Sequence, residues 1–189
     1  TATTEIYIFP YTTLSELVHY RNRLAQYRTD ADLQAAHAHC PWLVTWDDHE
    51  FDNNCANAIS EEEGVKVDAY LRRRANAYQA YYEHMPLRRR SVPRGPDMLL
   101  YRGVQFGRLA DFDVLDTRQY RTDQPNGDGN KPLGGKVFDK TATLLGDGDA
   151  AGLEGRVVCC LNEGSLSQAP SSVAAQASST AAVVVLGET

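Results

Sequence analysis

A chain of 189 residues, 42% hydrophobic and carrying a net charge of −6, is long enough for one domain of ordinary size with a real core. Its acidic balance argues against a nonspecific nucleic-acid binder, and no apolar run approaches the ~20 residues that cross a bilayer. The opening Thr1-Ala2-Thr3-Thr4-Glu5 has no initiator methionine and no signal-peptide pattern, so it reads as a cut from something longer.

Thr13-Leu14-Ser15-Glu16 has the form of a capping box, a Thr oxygen and a Glu three residues later answering two orphan amides. Leu14, Leu17, Val18, Leu24 and Tyr27 follow at helical spacing and predict a helix over 14–27. Thr29 and Asp32 repeat the start signal for a shorter helix carrying Leu33, Ala36 and His37, closed before Pro41. Pro41 then introduces Trp42-Leu43-Val44-Thr45, short, aromatic and β-branched, which predicts a buried central strand over 42–46.

The next run, Trp46-Asp47-Asp48-His49-Glu50-Phe51-Asp52-Asn53-Asn54, is the most informative of the sequence. Four acids, one imidazole and two carboxamides crowd into nine residues. Carboxylates packed at a strand exit repel one another unless something positive sits among them. A divalent or trivalent metal ion is the simplest neutraliser, and Asp, Asn and His supply the oxygen and nitrogen ligands such ions take. The strand's carboxyl end is also where an open α/β sheet binds ligands. A solvated acidic turn with Asp and Asn as caps is the plainer alternative, but the count and variety of ligand types favour metal. Asp48 is expected to ligate, with Asp47, Asn53 and Asn54 ligating or supporting. Cys40 and Cys55 bracket the run, so a disulfide or thiolate ligand is open, although buried free thiols are favoured. The adjacent Cys159 and Cys160 are too close for an unstrained mutual bond.

Ser60-Glu61-Glu62-Glu63 reads as a helix cap with three acids in the first turn, where the helix dipole favours them. The stripe Val67, Tyr70, Leu71, Tyr78, Tyr81 and Tyr82 follows, ending at Met85-Pro86. It is read as core, and Arg72, Arg73 and Arg74 as a solvated face. The segments 98–104 and 109–116 flank Phe106-Gly107-Arg108 as a hairpin, with Phe112 and Val114 on one face and Asp111 and Asp113 on the other. The run from Gln124 to Pro132 has no core residues and lacks the register of a calcium loop, which excludes an EF-hand. Beyond residue 163 the Ser-Ala-Gln composition offers few anchors, so 163–189 is expected to be an irregular, poorly packed tail after a domain at 1–162. Val183-Val184-Val185-Leu186 suggests a short strand without an evident partner.

Four ordered segments resemble the PhoD-like alkaline phosphatases, a branch of the metallophosphatase superfamily. They are Tyr20-Arg21 through His37, Trp46-Asp47-Asp48-His49-Glu50 with Asn53-Asn54, Tyr82-Glu83 with Met85-Pro86-Leu87-Arg88, and Leu115-Asp116-Thr117-Arg118-Gln119-Tyr120-Arg121. The likeness covers about residues 20–125, roughly the middle third of a catalytic domain. The family's earlier Gly-Asp metal motif and later His motifs are not found here. Thr143-Leu144-Leu145-Gly146 resembles the next landmark but continues differently.

The resemblance implies an α/β class, as a partial metallophosphatase-like sandwich, and a metal-dependent phosphoric ester hydrolase acting on phosphomonoesters or phosphodiesters. Two cations, calcium and iron by the resemblance, bind phosphate and activate a water that attacks phosphorus. Asp48 falls at a ligand position and His49 at the imidazole near the leaving group. Arg118 and Arg121 are then candidates to clamp phosphate, against salt bridges to Asp113, Asp116 or Asp123. The plainer role for His49 is donation to Asp47. The resemblance also implies a secreted or periplasmic protein. The alternative is a truncated, non-catalytic fragment with at most a cation-binding acidic motif, and the chain alone is expected to show little or no phosphatase activity. Nucleic-acid binding through Arg72–Arg74 and Arg88–Arg90 is disfavoured by the charge balance and the lack of a recognised module.

Overall fold

The computed structural model describes residues 15–124 and 141–145, and the backbone of 157–162, 165–168 and 183–186. Three helices come first: α1 (Leu17–Arg28), α2 (Ala31–His39) and α3 (Val67–His84). The hairpin β1 (Arg102–Phe106) and β2 (Ala110–Val114) follows, then β3 (Val157–Asn162), β4 (Ser165–Gln168) and β5 (Val183–Leu186). The mixture of helices with small antiparallel sheets is consistent with a partial α/β fold.

Helix starts differ from expectation in instructive ways. α1 begins after Glu16, which makes no side-chain cap; Thr13 lies outside the described residues. At α2 the cap is Asp30, whose Oδ1 accepts the Leu33 amide at 2.8 Å. Thr29 instead closes α1, its hydroxyl donating to the Gln26 carbonyl at 2.6 Å. The acids at 61–63 precede α3 and lie outside its first turn: Gly64 at φ +81° takes the chain off the helical path, and α3 starts after Lys66.

α3 organises the core. Trp46 stacks on Tyr78 with ring centroids 3.9 Å apart and meets Tyr81 edge-on, while Phe51 packs on Tyr70 and Tyr78. Tyr20, Ala77, Ala80, Met98 and Leu100 complete this cluster. Tyr70, Tyr78 and Tyr81 are therefore core, as their spacing indicates, with Leu71 and Tyr82 packed partly buried against them, whereas Val67 of the same expected stripe is exposed. Burying a large apolar side chain stabilises by ~1.5–3 kcal/mol, and each well-placed aromatic pair adds ~0.5–1.5 kcal/mol.

Two of the three helix arginines correct the expected solvated face. Arg72 is exposed, but Arg73 and Arg74 are buried. Arg73 forms an ion pair with the buried Asp52, and Arg74 donates to the carbonyls of Pro96 at 2.7 Å and Asn57 at 2.6 Å. Each is tolerated inside because a carboxylate or carbonyl oxygens accept hydrogen bonds from its guanidinium.

Residues 42–46 join no ladder among the described residues, and Trp42 and Leu43 are exposed, which corrects the expected buried central strand. Side chains hold the segment instead. Arg102 donates to the Val44 carbonyl at 2.8 Å, and the Thr45 hydroxyl donates to the Leu115 carbonyl at 2.8 Å. The hairpin is present, with Arg102 opposite Val114 and Phe106 opposite Ala110, turning through Gly107 at φ +57°. β5 finds the partner that the sequence did not indicate: it pairs antiparallel with β3, which also pairs with β4. The tail's side chains and the loop from residue 125 lie outside the described residues. Cys55 is a buried free thiol, its pKa pushed up to about 12 by burial, whereas Cys40 is free but exposed. Among the described residues, no helix is long and apolar enough to cross a membrane.

α1 and α3 run side by side in the same direction. The Ser15 carbonyl accepts from Asn76 at one end, and Arg28 donates to the His84 carbonyl at the other. Between them Arg21 grips Glu83 through two 2.6 Å hydrogen bonds, which hold the Glu83 carboxyl down at about 2. A depressed carboxylate pKa contributes stability above the unfolded value of 4.5, and that contribution is lost as pH falls towards 2. Arg21→Ala should accordingly lower the urea midpoint at pH 7 and lower it much less at pH 2, with circular dichroism as the readout; an equal loss at both pH values would contradict the ion-pair assignment.

Candidate functional site

The acidic loop is fixed at both ends by burial. Trp46 and Phe51 enter the aromatic core, so the residues between them are held at its rim. The loop then turns on its own backbone: the amides of Phe51 and Asp52 donate to the Asp48 carbonyl at 3.2 and 3.0 Å. Asn54 adopts φ +50°, a left-handed conformation that Asn tolerates, and its amide donates to Asp48 Oδ2 at 2.7 Å.

The turn after β2 forms the facing wall. Asp116 is fully buried, and its Oδ1 accepts from Trp46 Nε1 at 2.9 Å and from the amides of Arg118 and Gln119 at 3.1 and 2.9 Å. Oδ2 accepts from the Gln119 side chain at 3.1 Å. Gln119 in turn exchanges hydrogen bonds with both backbone groups of Met98, each at 2.9 Å, as a neighbouring strand would. Burial still pushes the Asp116 pKa up, against donors that favour its ionised form.

This wall aims Arg118 into the acidic loop. Its Nε and one terminal nitrogen lie 3.0 and 2.5 Å from Asp47 Oδ1, and that terminal nitrogen is 3.3 Å from Asp48 Oδ1. Burial pushes the Asp48 carboxyl up. The hydrogen bond from the Asn54 amide and the charge of Arg118 act against this, and the carboxyl is held below the usual carboxylate range. Glu50, which accepts the Asp47 amide at 2.6 Å, is pushed up to about 7 by burial.

Of the residues selected from sequence, Asp47, Asp48 and Arg118 meet directly, with Asn54 joined to Asp48 through its backbone amide. Arg121 faces the loop's exit, donating to the carbonyls of Cys55 at 3.1 Å and Asn54 at 2.6 Å. Neither arginine takes Asp113, Asp116 or Asp123 as a salt-bridge partner among the described residues. His49 is exposed, and its Nε2 lies 3.1 Å from Asn53 Oδ1. One participant was missed. Glu61, read from sequence as a helix-cap acid, receives the side-chain amides of both Asn53 and Asn54, the latter at 3.0 Å. No spacing rule links a pre-helical Glu to that loop.

The donor set suits a hard cation in kind, because it offers carboxylate and amide oxygens. It does not suit one in number: among the described residues, no three His, Cys, Asp or Glu side chains converge as a metal site. Arg118 supplies the positive charge between Asp47 and Asp48.

A family model described as PhoD-like phosphatase matches residues 5–157, and the chain belongs to that family. The match extends beyond the 20–125 span legible from motifs. Alkaline phosphatase D of Bacillus subtilis (strain 168) is 64% identical over 127 residues, covering 67% of this chain and 22% of that protein. A solved structure of PhoD superposes with a TM-score of 0.70 at 60% identity, covering 74% of this chain and 26% of the other. The chain thus spans about a fifth to a quarter of the length of these relatives.

Asp116→Ala should strand several buried donors at once, the Trp46 indole and the amides of Arg118 and Gln119 among them. At ~1–3 kcal/mol for each buried group left unpaired, a loss of at least about 3 kcal/mol in urea unfolding is expected, with a change in Trp46 fluorescence. A loss under about 1 kcal/mol would show that the carboxylate is not what ties the two walls together.

Proposed function

We propose that this chain carries part of the reaction centre of a phosphoric ester hydrolase of the alkaline phosphatase or phosphodiesterase type. The observation that carries the proposal is the juxtaposition, in one loop, of Asp48 and His49. A buried carboxylate held ionised sits next to an exposed imidazole, in a chain of the PhoD-like family. The first can face a cation, and the second can exchange protons with a substrate.

Asp48 is the proposed metal ligand of this segment, and calcium and iron are the ions the reading names. Asp47 supports it through Arg118, and Asn53 and Asn54 through Glu61. Any cation at Asp48 takes its remaining ligands from outside the described residues. Arg118 and Arg121 are the proposed phosphate-facing groups; each has two nitrogens engaged with the loop, Arg118 with Asp47 and Asp48 and Arg121 with the carbonyls of Cys55 and Asn54.

His49 is the proposed general acid for the leaving oxygen, a role worth ~10²–10⁴ in rate. In a protein carrying this segment within a full PhoD-like domain, His49→Ala should lower kcat by about that factor for an alkyl phosphate. It should matter far less for a nitrophenyl phosphate, whose leaving group needs no proton. Equal effects on both substrates would remove His49 from that role.

The alternative is an inert, cation-binding fragment, favoured by the lack of three converging ligands among the described residues. Calorimetric titration of the 189-residue chain with calcium, alongside phosphate-ester hydrolysis, separates the two. Metal-dependent turnover lost in Asp48→Ala supports the hydrolase. Cation binding lost in Asp48→Ala without turnover supports the fragment. Binding unchanged by Asp48→Ala rejects Asp48 as a ligand under either reading.

A further inference from the structure

We propose that Glu61 is a positioning residue which, through the side-chain amide of Asn53, fixes the tautomer of His49. The argument follows donors and acceptors around three side chains. An ionised carboxylate only accepts hydrogen bonds, so the group that Asn53 turns towards Glu61 is its NH2. That leaves Asn53 Oδ1 facing His49 Nε2 at 3.1 Å. A carbonyl oxygen cannot donate, so Nε2 carries the proton of the neutral ring.

Glu61 also receives the side-chain amide of Asn54 at 3.0 Å. The backbone amide of the same Asn54 holds Asp48 Oδ2 at 2.7 Å. One exposed carboxylate therefore orders both sides of the acidic loop, the imidazole through Asn53 and the buried acid through Asn54. The departure of Glu61 from its expected place in the α3 first turn is what makes this reach possible: Gly64 at φ +81° redirects the chain between the glutamate and the helix.

The assignment deepens the reading of His49 as proton donor and rests on it for its functional meaning, but its test does not. Long-range nitrogen–proton NMR of the 15N-histidine-labelled 189-residue chain, at a pH where imidazole is neutral, reports the tautomer of His49 directly. The chain should show Nε2 protonated, and Glu61→Gln, which can still present a carbonyl oxygen to Asn53, should preserve that state. Free imidazole itself leans towards Nε2–H, so the decisive variant is one that inverts the chain of bonds. In Glu61→Lys the ammonium only donates, Asn53 turns its oxygen outward and its NH2 towards the ring, and His49 should move to the Nδ1–H form. The Nε2 resonance would then pass from the pyrrole-type to the pyridine-type range, while His84, whose Nδ1 faces the Ala80 carbonyl at 2.8 Å, keeps its own tautomer and reports an intact fold. Glu61→Arg imposes the same inversion if the lysine variant does not fold. Nδ1–H in the unsubstituted chain, or Nε2–H retained in the inverting variants, would overturn the assignment. Loss of phosphatase activity by His49→Ala is a separate measurement, so failure of the tautomer and failure of the hydrolase reading remain distinguishable.

Discussion

The carboxylate of Asp116 is the constraint on which the rest of the site depends. It sits with no solvent exposure at the end of the hairpin, yet it meets donors from three places: the Trp46 indole, the backbone of the 118–119 turn and the Gln119 side chain. A buried acid without such partners would cost several kcal/mol. With them it becomes a joint. Trp46 is at once the last residue of the segment 42–46, a stacking partner of α3 and a donor to Asp116. The acidic loop therefore starts from a point fixed in three directions, and the facing turn starts from the same carboxylate.

Arg118 follows from that joint. Two carboxylates ~4 Å apart at an effective dielectric of ~20 repel by ~4 kcal/mol, a cost the loop cannot carry unrelieved. A guanidinium between Asp47 and Asp48 relieves it, and Arg118 is held there because its own backbone amide is bound to Asp116. A metal ion would act on the same charge. Arg118 is thus the counter-charge that the described residues themselves supply to the acidic motif. The Asp48 carboxyl is held ionised, the form a hard cation requires.

Much of this was legible in the sequence, and the misses share a cause. Start, stop and turn signals identified α2 and the hairpin, and helical spacing identified α1 and α3; of these stripes only the α3 tyrosines are buried as a set, while Val18 and Tyr27 of α1 are exposed and α2 buries no residue. The acidic loop stood out by composition alone. What failed were features set by non-local partners. Residues 42–46 have the composition of a strand, but strand pairing is decided by neighbours, and Arg102 and Leu115 supply side-chain and carbonyl contacts in their place. Arg73 and Arg74 look solvated until Asp52 and the carbonyls of Asn57 and Pro96 are brought to them. Glu61 carries a helix-cap signal that its use by Asn53 and Asn54 overrides. Asp116 was seen as a family-like motif residue and a candidate salt-bridge partner, not as the acceptor that gathers Trp46, Arg118 and Gln119.

The account turns on Arg118 being the fixed counter-charge of the acidic loop, and a double-mutant cycle between Asp47→Asn and Arg118→Gln measures that coupling directly. Urea unfolding of the chain, both single variants and the double variant should give free energies that fail to add by ~0.5–3 kcal/mol, the range found for residues in one charged network. Additivity within ~0.5 kcal/mol would mean that the guanidinium and the carboxylate do not hold each other. The acidic loop would then owe its shape to something other than the wall that Asp116 anchors.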